Sequence, residues 1–88
     1  MNKEEITWRI RVYGIVQGVG FRPTVSRHAM THGIRGTVCN KGPYVEIFAQ
    51  GAKEQIDGFL NELKEHPPKR AAILKIIVTS MISSSPTL

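Results

Sequence analysis

Apolar and polar residues alternate along the first part of the chain. Over residues 7–13, Trp8, Ile10 and Val12 fall on one face, while polar, basic or aromatic side chains fall on the other. Period two with one apolar face is typical of a strand that is buried on one side. The segment therefore predicts a first strand over residues 7–13, with Trp8 in the core.

Three further segments predict strands. Residues 35–40 and 44–50 flank the turn Lys41-Gly42-Pro43 and predict a hairpin, in which Val45, Ile47 and Ala49 share one face. Residues 73–80 are rich in β-branched side chains and predict a last strand.

Two segments predict helices. Pro23 fits the first position of a helix, because the N–H that proline lacks is unpaired there, and Gly33 is a natural end. Between them, Val25, Ala29 and His32 recur at helical spacing. Residues 53–65 predict a second helix, whose apolar stripe consists of Ile56, Phe59, Leu60 and Leu63.

This order of elements predicts an α+β fold. A strand–helix–strand–strand–helix–strand succession is the ferredoxin-like plan, with two helices on one face of a four-stranded antiparallel sheet. We expect residues 1–88 to form a single domain. This fold serves many unrelated functions, so function has to be argued from a site.

The segment between the first strand and the first helix contains Gly14, Gly18 and Gly20, and we expect it to be a loop. Gly18 and Gly20 can adopt positive φ, which would turn successive backbone N–H groups inward into an anion-binding nest at a helix N-terminus. Arg22 follows, and its guanidinium can hold two phosphate or carboxylate oxygens. Pro23 disfavours helical geometry at Arg22, so we expect the helix to begin at Pro23. A simple strand-to-helix connection and a solvated Arg22 fit these residues as well.

Asn40 ends the second predicted strand. The fold runs strands 1 and 2 parallel, with strand 3 between them, so both end at the same edge of the sheet about 10 Å apart. We therefore expect Asn40 to lie near the glycine-rich loop and Arg22.

Composition and charge narrow the function only slightly. The chain carries a net charge of +5, which favours anionic partners. No apolar run approaches the ~20 residues that span a bilayer, and no signal-peptide core is present, so we expect a cytoplasmic protein without a membrane partner. RNA-binding modules share this topology, but they need exposed aromatics on the central strands, where only Tyr13, Tyr44 and Phe48 are candidates. We therefore expect no nucleic-acid partner.

Cysteine and histidine do not predict a metal site. Cys39 is the only cysteine, and we expect it to be buried or half-buried on the face opposite Asn40. His28 and His32 are four residues apart, a spacing that could bind metal, but without a third ligand we expect them on the surface.

Two segments resemble the signatures of a known family. Residues 12–22, Val-Tyr-Gly-Ile-Val-Gln-Gly-Val-Gly-Phe-Arg, resemble the first signature of the acylphosphatases, and residues 36–40, Gly-Thr-Val-Cys-Asn, resemble the second. The two signatures and the order of elements together cover about residues 9–78.

The resemblance implies a hydrolase that cleaves the mixed anhydride of an acyl phosphate. Arg22 would hold the phosphoryl group with the backbone N–H groups of the loop, whose members are Val16, Gln17, Gly18, Val19 and Gly20. Asn40 would orient the attacking water through its side-chain amide. It would not act as a general base, because an amide is a poor proton acceptor. We expect no cofactor and no metal, a carboxyl or carbamoyl phosphate as substrate, inorganic phosphate or sulfate as a site ligand, and a monomer.

A finer resemblance points to one branch of the family. Phe21-Arg22-Pro23, Val38-Cys39-Asn40 and His66-Pro67-Pro68 are similar to the N-terminal acylphosphatase-like domain of the hydrogenase-maturation carbamoyltransferases. The domain would then process carbamoyl phosphate with little activity alone. Acylphosphatases close the sheet with a fifth strand, which we expect to be missing here, as in a piece of a longer protein. The turn at residues 41–44 also departs from the Asp-Gly type of relatives and could displace Asn40.

Overall fold

The computed structural model describes residues 5–18 and 20–81, and for Met81 only the backbone. The elements follow the predicted order, and their bounds are β1 Glu5–Ile15, α1 Phe21–Thr31, β2 Arg35–Asn40, β3 Tyr44–Ala52, α2 Lys53–Glu65 and β4 Ala72–Met81. The four strands form one antiparallel sheet in the order β2-β3-β1-β4. Both helices lie on one face, so the predicted ferredoxin-like fold is confirmed.

β3 lies between β1 and β2 and is antiparallel to both. Its register pairs Tyr44 with Tyr13 of β1 and Val45 with Asn40 of β2. β1 and β2 therefore run in the same direction, and both end at the edge of the sheet where α1 begins. This arrangement determines where a site can form.

β1 extends further into the glycine-rich segment than predicted. Gly14 and Ile15 continue the strand and pair with Ile73 and Ala72 of β4, after a register shift next to Tyr13. Gly14 has φ 135°, and a Cβ there would lie 2.0 Å from the Ala72 carbonyl oxygen. The prediction that Gly14 starts the loop is wrong. This glycine belongs to β1, and its lack of a side chain allows β1 and β4 to approach closely.

α1 begins at Phe21, so the predicted start at Pro23 is also wrong. The Thr24 N–H donates to the Gly20 carbonyl oxygen at 3.2 Å and closes the first turn, which places Arg22 and Pro23 inside the helix. Proline is tolerated at the third position because the N–H groups of the first turn have no helical partner anyway.

The core lies between the helices and the sheet. The predicted apolar faces meet there: Ile10 and Val12 of β1, the β3 set of Val45, Ile47 and Ala49, and the complete α2 stripe are all buried. Trp8, half-buried, packs against this core at the start of β1. These contacts hold the ends of β1 and β2 at a fixed distance from the first turn of α1.

The other face of the sheet is open. Register places Arg9, Arg11 and Tyr13 of β1 on it, next to Tyr44, Glu46 and Phe48 of β3. Cys39 pairs with Glu46 and so faces this side, opposite Asn40 as predicted. Its predicted burial is wrong, because β2 is an edge strand and its outer face is exposed.

The histidines of α1 are also placed differently from the prediction. His28 is buried, with Nδ1 at 3.3 Å from Glu62 Oε2 of α2 and Nε2 at 3.1 Å from the His66 carbonyl oxygen. His32 Nε2 lies 2.6 Å from Glu62 Oε1. These contacts join the two helices. The prediction of surface histidines is wrong because it considered α1 without the neighbouring helix α2.

The expected absence of a fifth strand concerns residues 82–88, which lie outside the described part of the chain. Neither α1 nor α2 has the length and apolar character needed to cross a bilayer.

Candidate functional site

A cleft of about 180 Å³ opens where the ends of β1 and β2 meet the first turn of α1. The residues that line it are Val16, Gln17, Gly18, Gly20, Phe21, Arg22, Pro23, Asn40 and Val45. The structure thus brings together the predicted site residues from both signatures. Val19, also predicted to bind phosphate, lies outside the described residues.

The loop adopts the backbone conformation that the glycines predict. Gly18 has φ 72° and Gly20 has φ 76°, and a Cβ at either position would meet no atom within 4 Å. The glycines are therefore needed for their left-handed backbone and not for space. Only glycine adopts this region without steric cost at two positions so close together.

The N-terminus of α1 offers donors without a side-chain acceptor. Gly20 is the N-cap residue and makes no side-chain cap, and no acidic residue stands in the first turn. Ser, Thr, Asp and Asn are the N-cap residues whose side chains commonly accept from these N–H groups. Together with the helix dipole, the uncapped end favours an anion at this point.

Arg22 stands at the same helix end. Its side chain is exposed, lines the cleft, and makes no hydrogen bond or ion pair with any residue in the described part of the chain. By contrast, Arg11 and Arg35 each have a carboxylate partner. The guanidinium of Arg22 is therefore available to an anion that enters the cleft.

Asn40 is oriented by the turn that follows it. Its Oδ1 accepts a hydrogen bond from the Gly42 N–H at 2.9 Å, and its strand position places it on the helix-covered side of the sheet next to Val45. Since the oxygen is engaged, the two N–H groups of the amide are the donors that remain for a water or a ligand.

Gln17 connects the loop to that same turn. Its Nε2 donates to the Gly42 carbonyl oxygen at 2.5 Å, across 25 positions of sequence. Gly42 thus contacts Gln17 through its carbonyl and Asn40 through its N–H. The sequence predicted a phosphate-binding backbone at Gln17 but not this side-chain contact, since nothing in a linear pattern identifies a distant turn carbonyl as its acceptor.

The turn at residues 41–44 is closed by a backbone hydrogen bond. Gly42 has φ 97° and Lys41 N–H donates to the Tyr44 carbonyl oxygen at 2.9 Å, which closes the turn over residues 41–44. Gly42 of this turn contacts both Gln17 and Asn40, so the turn connects the loop to Asn40.

The arrangement is suited to a phosphoryl group. A free guanidinium, an uncapped helix N-terminus and two left-handed glycines face one small cleft, and an oriented amide stands on its other side. Among residues 5–18 and 20–81, no three His, Cys, Asp or Glu side chains form a group that could hold a metal ion. A larger groove of about 360 Å³ lies between α1 and β2 and contains none of the predicted site residues.

The sequence profile of the acylphosphatases matches residues 8–86, which is most of the chain. The chain belongs to the acylphosphatase family. The curated "Probable carbamoyltransferase HypF" of Methanocaldococcus jannaschii is 52% identical to this member of the family over 68 residues, which are 77% of this chain and 9% of that protein. The chain thus spans only a small part of that relative.

Two solved structures of the family share its fold. The crystal structure of full-length HypF in the phosphate- and nucleotide-bound form is 34% identical, with a TM-score of 0.89, over 92% of this chain and 11% of that one. The acylphosphatase from Bacillus subtilis is 32% identical, with a TM-score of 0.82, over 90% of this chain and 88% of that one. Both the HypF domain and the stand-alone acylphosphatases are therefore similar to this chain, as the two predicted resemblances require.

Proposed function

We propose that the chain hydrolyses the carboxyl–phosphate anhydride, converting an acyl phosphate and water into a carboxylate and inorganic phosphate. The observation that carries the proposal is the convergence of Arg22, the uncapped N-terminus of α1 and Asn40 on one cleft. Membership of the acylphosphatase family supports it independently.

In this proposal the phosphoryl group lies against the loop. The backbone N–H groups of residues 16–20 and the fork of Arg22 donate to its non-bridging oxygens. The transition state of phosphoryl transfer carries negative charge spread over these oxygens, so fixed donors aimed at them stabilise the transition state more than the bound substrate. The acyl group extends toward the mouth of the cleft.

The amide of Asn40 positions the nucleophile. With its oxygen bound to the Gly42 N–H, it donates an N–H to a water and directs the lone pair of that water at phosphorus. The new P–O bond forms as the bond to the acyl oxygen breaks, and the electron pair leaves with the carboxylate. The proton of the water passes to a phosphate oxygen, because an amide cannot accept it.

Replacement of Arg22 by alanine tests the proposal. We expect Arg22→Ala to lower kcat/KM for benzoyl phosphate by about a hundredfold or more, since a charge-assisted donor to the transferring group is lost. The decrease is measured by the loss of ultraviolet absorbance of the acyl phosphate, with inorganic phosphate as a competitive inhibitor of the unchanged protein.

Arg27→Ala is the matched control. Arg27 lies on the same helix but does not line the cleft, so its loss should leave the rate within about twofold. Full activity of Arg22→Ala, with a native circular dichroism spectrum, would show that the site assignment is wrong.

A second candidate is favoured by the likeness to HypF. The TM-score of 0.89 with full-length HypF exceeds the 0.82 with the stand-alone enzyme. On this alternative the domain processes carbamoyl phosphate within a larger carbamoyltransferase and is nearly inactive alone. Slow turnover of both compounds by the chain alone, with carbamoyl phosphate preferred over benzoyl phosphate, supports it, whereas rapid turnover of both with comparable kcat/KM supports a general acylphosphatase.

A further inference from the structure

β4 is an edge strand with an open side. It spans ten residues, Ala72–Met81, and pairs with β1 along one side. No strand among the described residues pairs with its other side. An edge of this kind presents a row of unpaired backbone N–H and C=O groups that can accept a further strand.

The side chains of β4 are unusually apolar for an exposed edge. Leu74 is 79% exposed, Ile77 is 38% exposed and Val78 is 39% exposed, so three of the five large exposed hydrophobic residues of the described chain lie on this strand. The other edge strand, β2, is six residues long and contributes none of the five. β4 is therefore the edge that resembles a binding surface.

The features that normally prevent edge pairing are confined to one end of β4. The register shift lies beside Tyr13 and Gly14, near Leu74, and Lys75 is the only charged residue of the strand. Residues 76–81 carry no charge and no proline. Natural edges are commonly protected by these devices, and more than half of β4 lacks them.

The charges beside β4 indicate what kind of strand would fit. Ile77 pairs with Arg11, and Lys75 pairs with Tyr13 on the open face of the sheet. The only carboxylate near Arg11 in the described chain is Glu46, whose Oε2 lies 3.4 Å from Arg11 Nε and 4.0 Å from Arg9 Nε. One carboxylate thus lies near two guanidinium groups, those of Arg9 and Arg11, so the net charge of the face next to β4 is positive.

Two other occupants fit this edge less well. A second copy of a chain with a net charge of +5 would be repelled at long range. Nucleic-acid bases would need free aromatic faces, but Arg11 lies 5.2 Å from the ring centroid of Tyr44 and Lys75 lies 5.5 Å from that of Tyr13. An extended peptide with acidic and apolar side chains meets neither obstacle.

We propose that the outer edge of β4 binds an extended acidic segment of a partner protein as a fifth strand. The backbone of the segment pairs with β4, its apolar side chains pack beside Val78 on the helix-covered side of the sheet, and its carboxylates lie near Lys75 and Arg11 on the open face. The surface is separate from the cleft, so partner binding and anhydride cleavage can be measured independently.

A fluorescein-labelled nine-residue peptide of alternating Glu and Val is the probe. We expect a saturable rise in anisotropy with the full chain, together with slower amide hydrogen exchange in β4. Lys75→Glu should weaken binding about fivefold, since an attraction becomes a repulsion at an exposed site. Val78→Thr keeps the shape of the side chain but loses apolar contact with the valines of the peptide, and should weaken binding about threefold.

Lys64→Glu is the matched control, because it makes the same charge change at an exposed position of α2. The proposal requires that it weaken binding less than Lys75→Glu. Absence of saturable binding overturns the proposal, as does equal weakening by the two variants, equally tight binding of a nine-nucleotide oligouridylate, or slowed exchange confined to β2. Self-association of the chain that protects β4 without peptide would also overturn it.

Discussion

Gln17 is the residue whose side chain joins the glycine-rich loop to the β2–β3 turn. Its contact with the Gly42 carbonyl and the contact of Asn40 with the Gly42 N–H converge on one residue of that turn. If Asn40 orients the water, the loop that holds the phosphoryl group and the amide that aims the nucleophile keep their spacing through Gly42. Gln17 is then a positioning residue.

Replacement of Gln17 by alanine should therefore lower kcat more than it raises KM. A misplacement of about 1 Å at a reacting group can cost on the order of a hundredfold in rate, so we expect kcat to fall about tenfold with KM changed less than threefold. The measurement is steady-state kinetics with benzoyl phosphate. Gln50→Ala, at the far end of β3, serves as the control and should match the unchanged protein. A rise in KM with kcat intact would mean that Gln17 contributes to binding and not to positioning.

At the scale of the elements, the sequence pattern predicted the bounds of those helices and strands that depend on interactions within the segment itself. The bounds of α2 and β2 agree with the prediction, because an amphipathic stripe and a strand beside a tight turn are encoded within each segment. The end of β1 and the start of α1 differ, because Gly14 is set by its approach to Ala72 of β4 and the helix start by the left-handed Gly20. Contacts such as Gln17 with Gly42 depend on which elements become neighbours, and no segment reveals them alone.

The α1–α2 interface contains a carboxylate shared by two histidines. A hydrogen bond with His32, followed by the charges of His28, His32 and His66, lowers the pKa of Glu62 below its ordinary value of 4.5 despite partial desolvation. Gly58 allows this approach, since a Cβ at that position would lie 2.9 Å from His32 Nδ1. The two helices are thus linked by a polar contact beside the apolar core.

A lowered carboxylate pKa stabilises the fold above the pKa of the unfolded chain, and this stabilisation is lost as the pH falls through the folded value. We therefore expect Glu62→Gln to be less stable than the unchanged protein at about pH 5, with the difference shrinking toward about pH 3. Urea unfolding at a series of pH values measures it. Glu65→Gln, which makes the same change at an exposed position near the end of the same helix, is measured beside it as the matched control. If the free energy of unfolding of Glu62→Gln differs from that of the unchanged protein by the same amount at every pH, the effect of Glu62 comes from packing and not from its ionisation.

At the scale of the molecule, the cleft joins parts of the chain that only folding brings together: the loop after β1, the first turn of α1 and the end of β2. A phosphate ion that occupies the cleft binds the folded chain and not the unfolded one. By mass action it must then stabilise the whole domain, by about 1.4 kcal/mol at ten times its Kd. For a chain of this size, that free energy corresponds to a rise in Tm of about 6–11 °C.

Thermal unfolding in sodium phosphate and in sodium chloride of equal ionic strength separates this effect from general screening of the +5 charge. We expect the phosphate-specific rise in Tm to disappear in Arg22→Ala and to persist in Arg27→Ala. The cations of the open face, Arg9 and Arg11 among them, could also hold an anion, and their site would not need Arg22. A rise that survives Arg22→Ala would therefore place the bound phosphate outside the cleft, whereas its loss in that variant alone makes the loop and Arg22 the anion site of this domain.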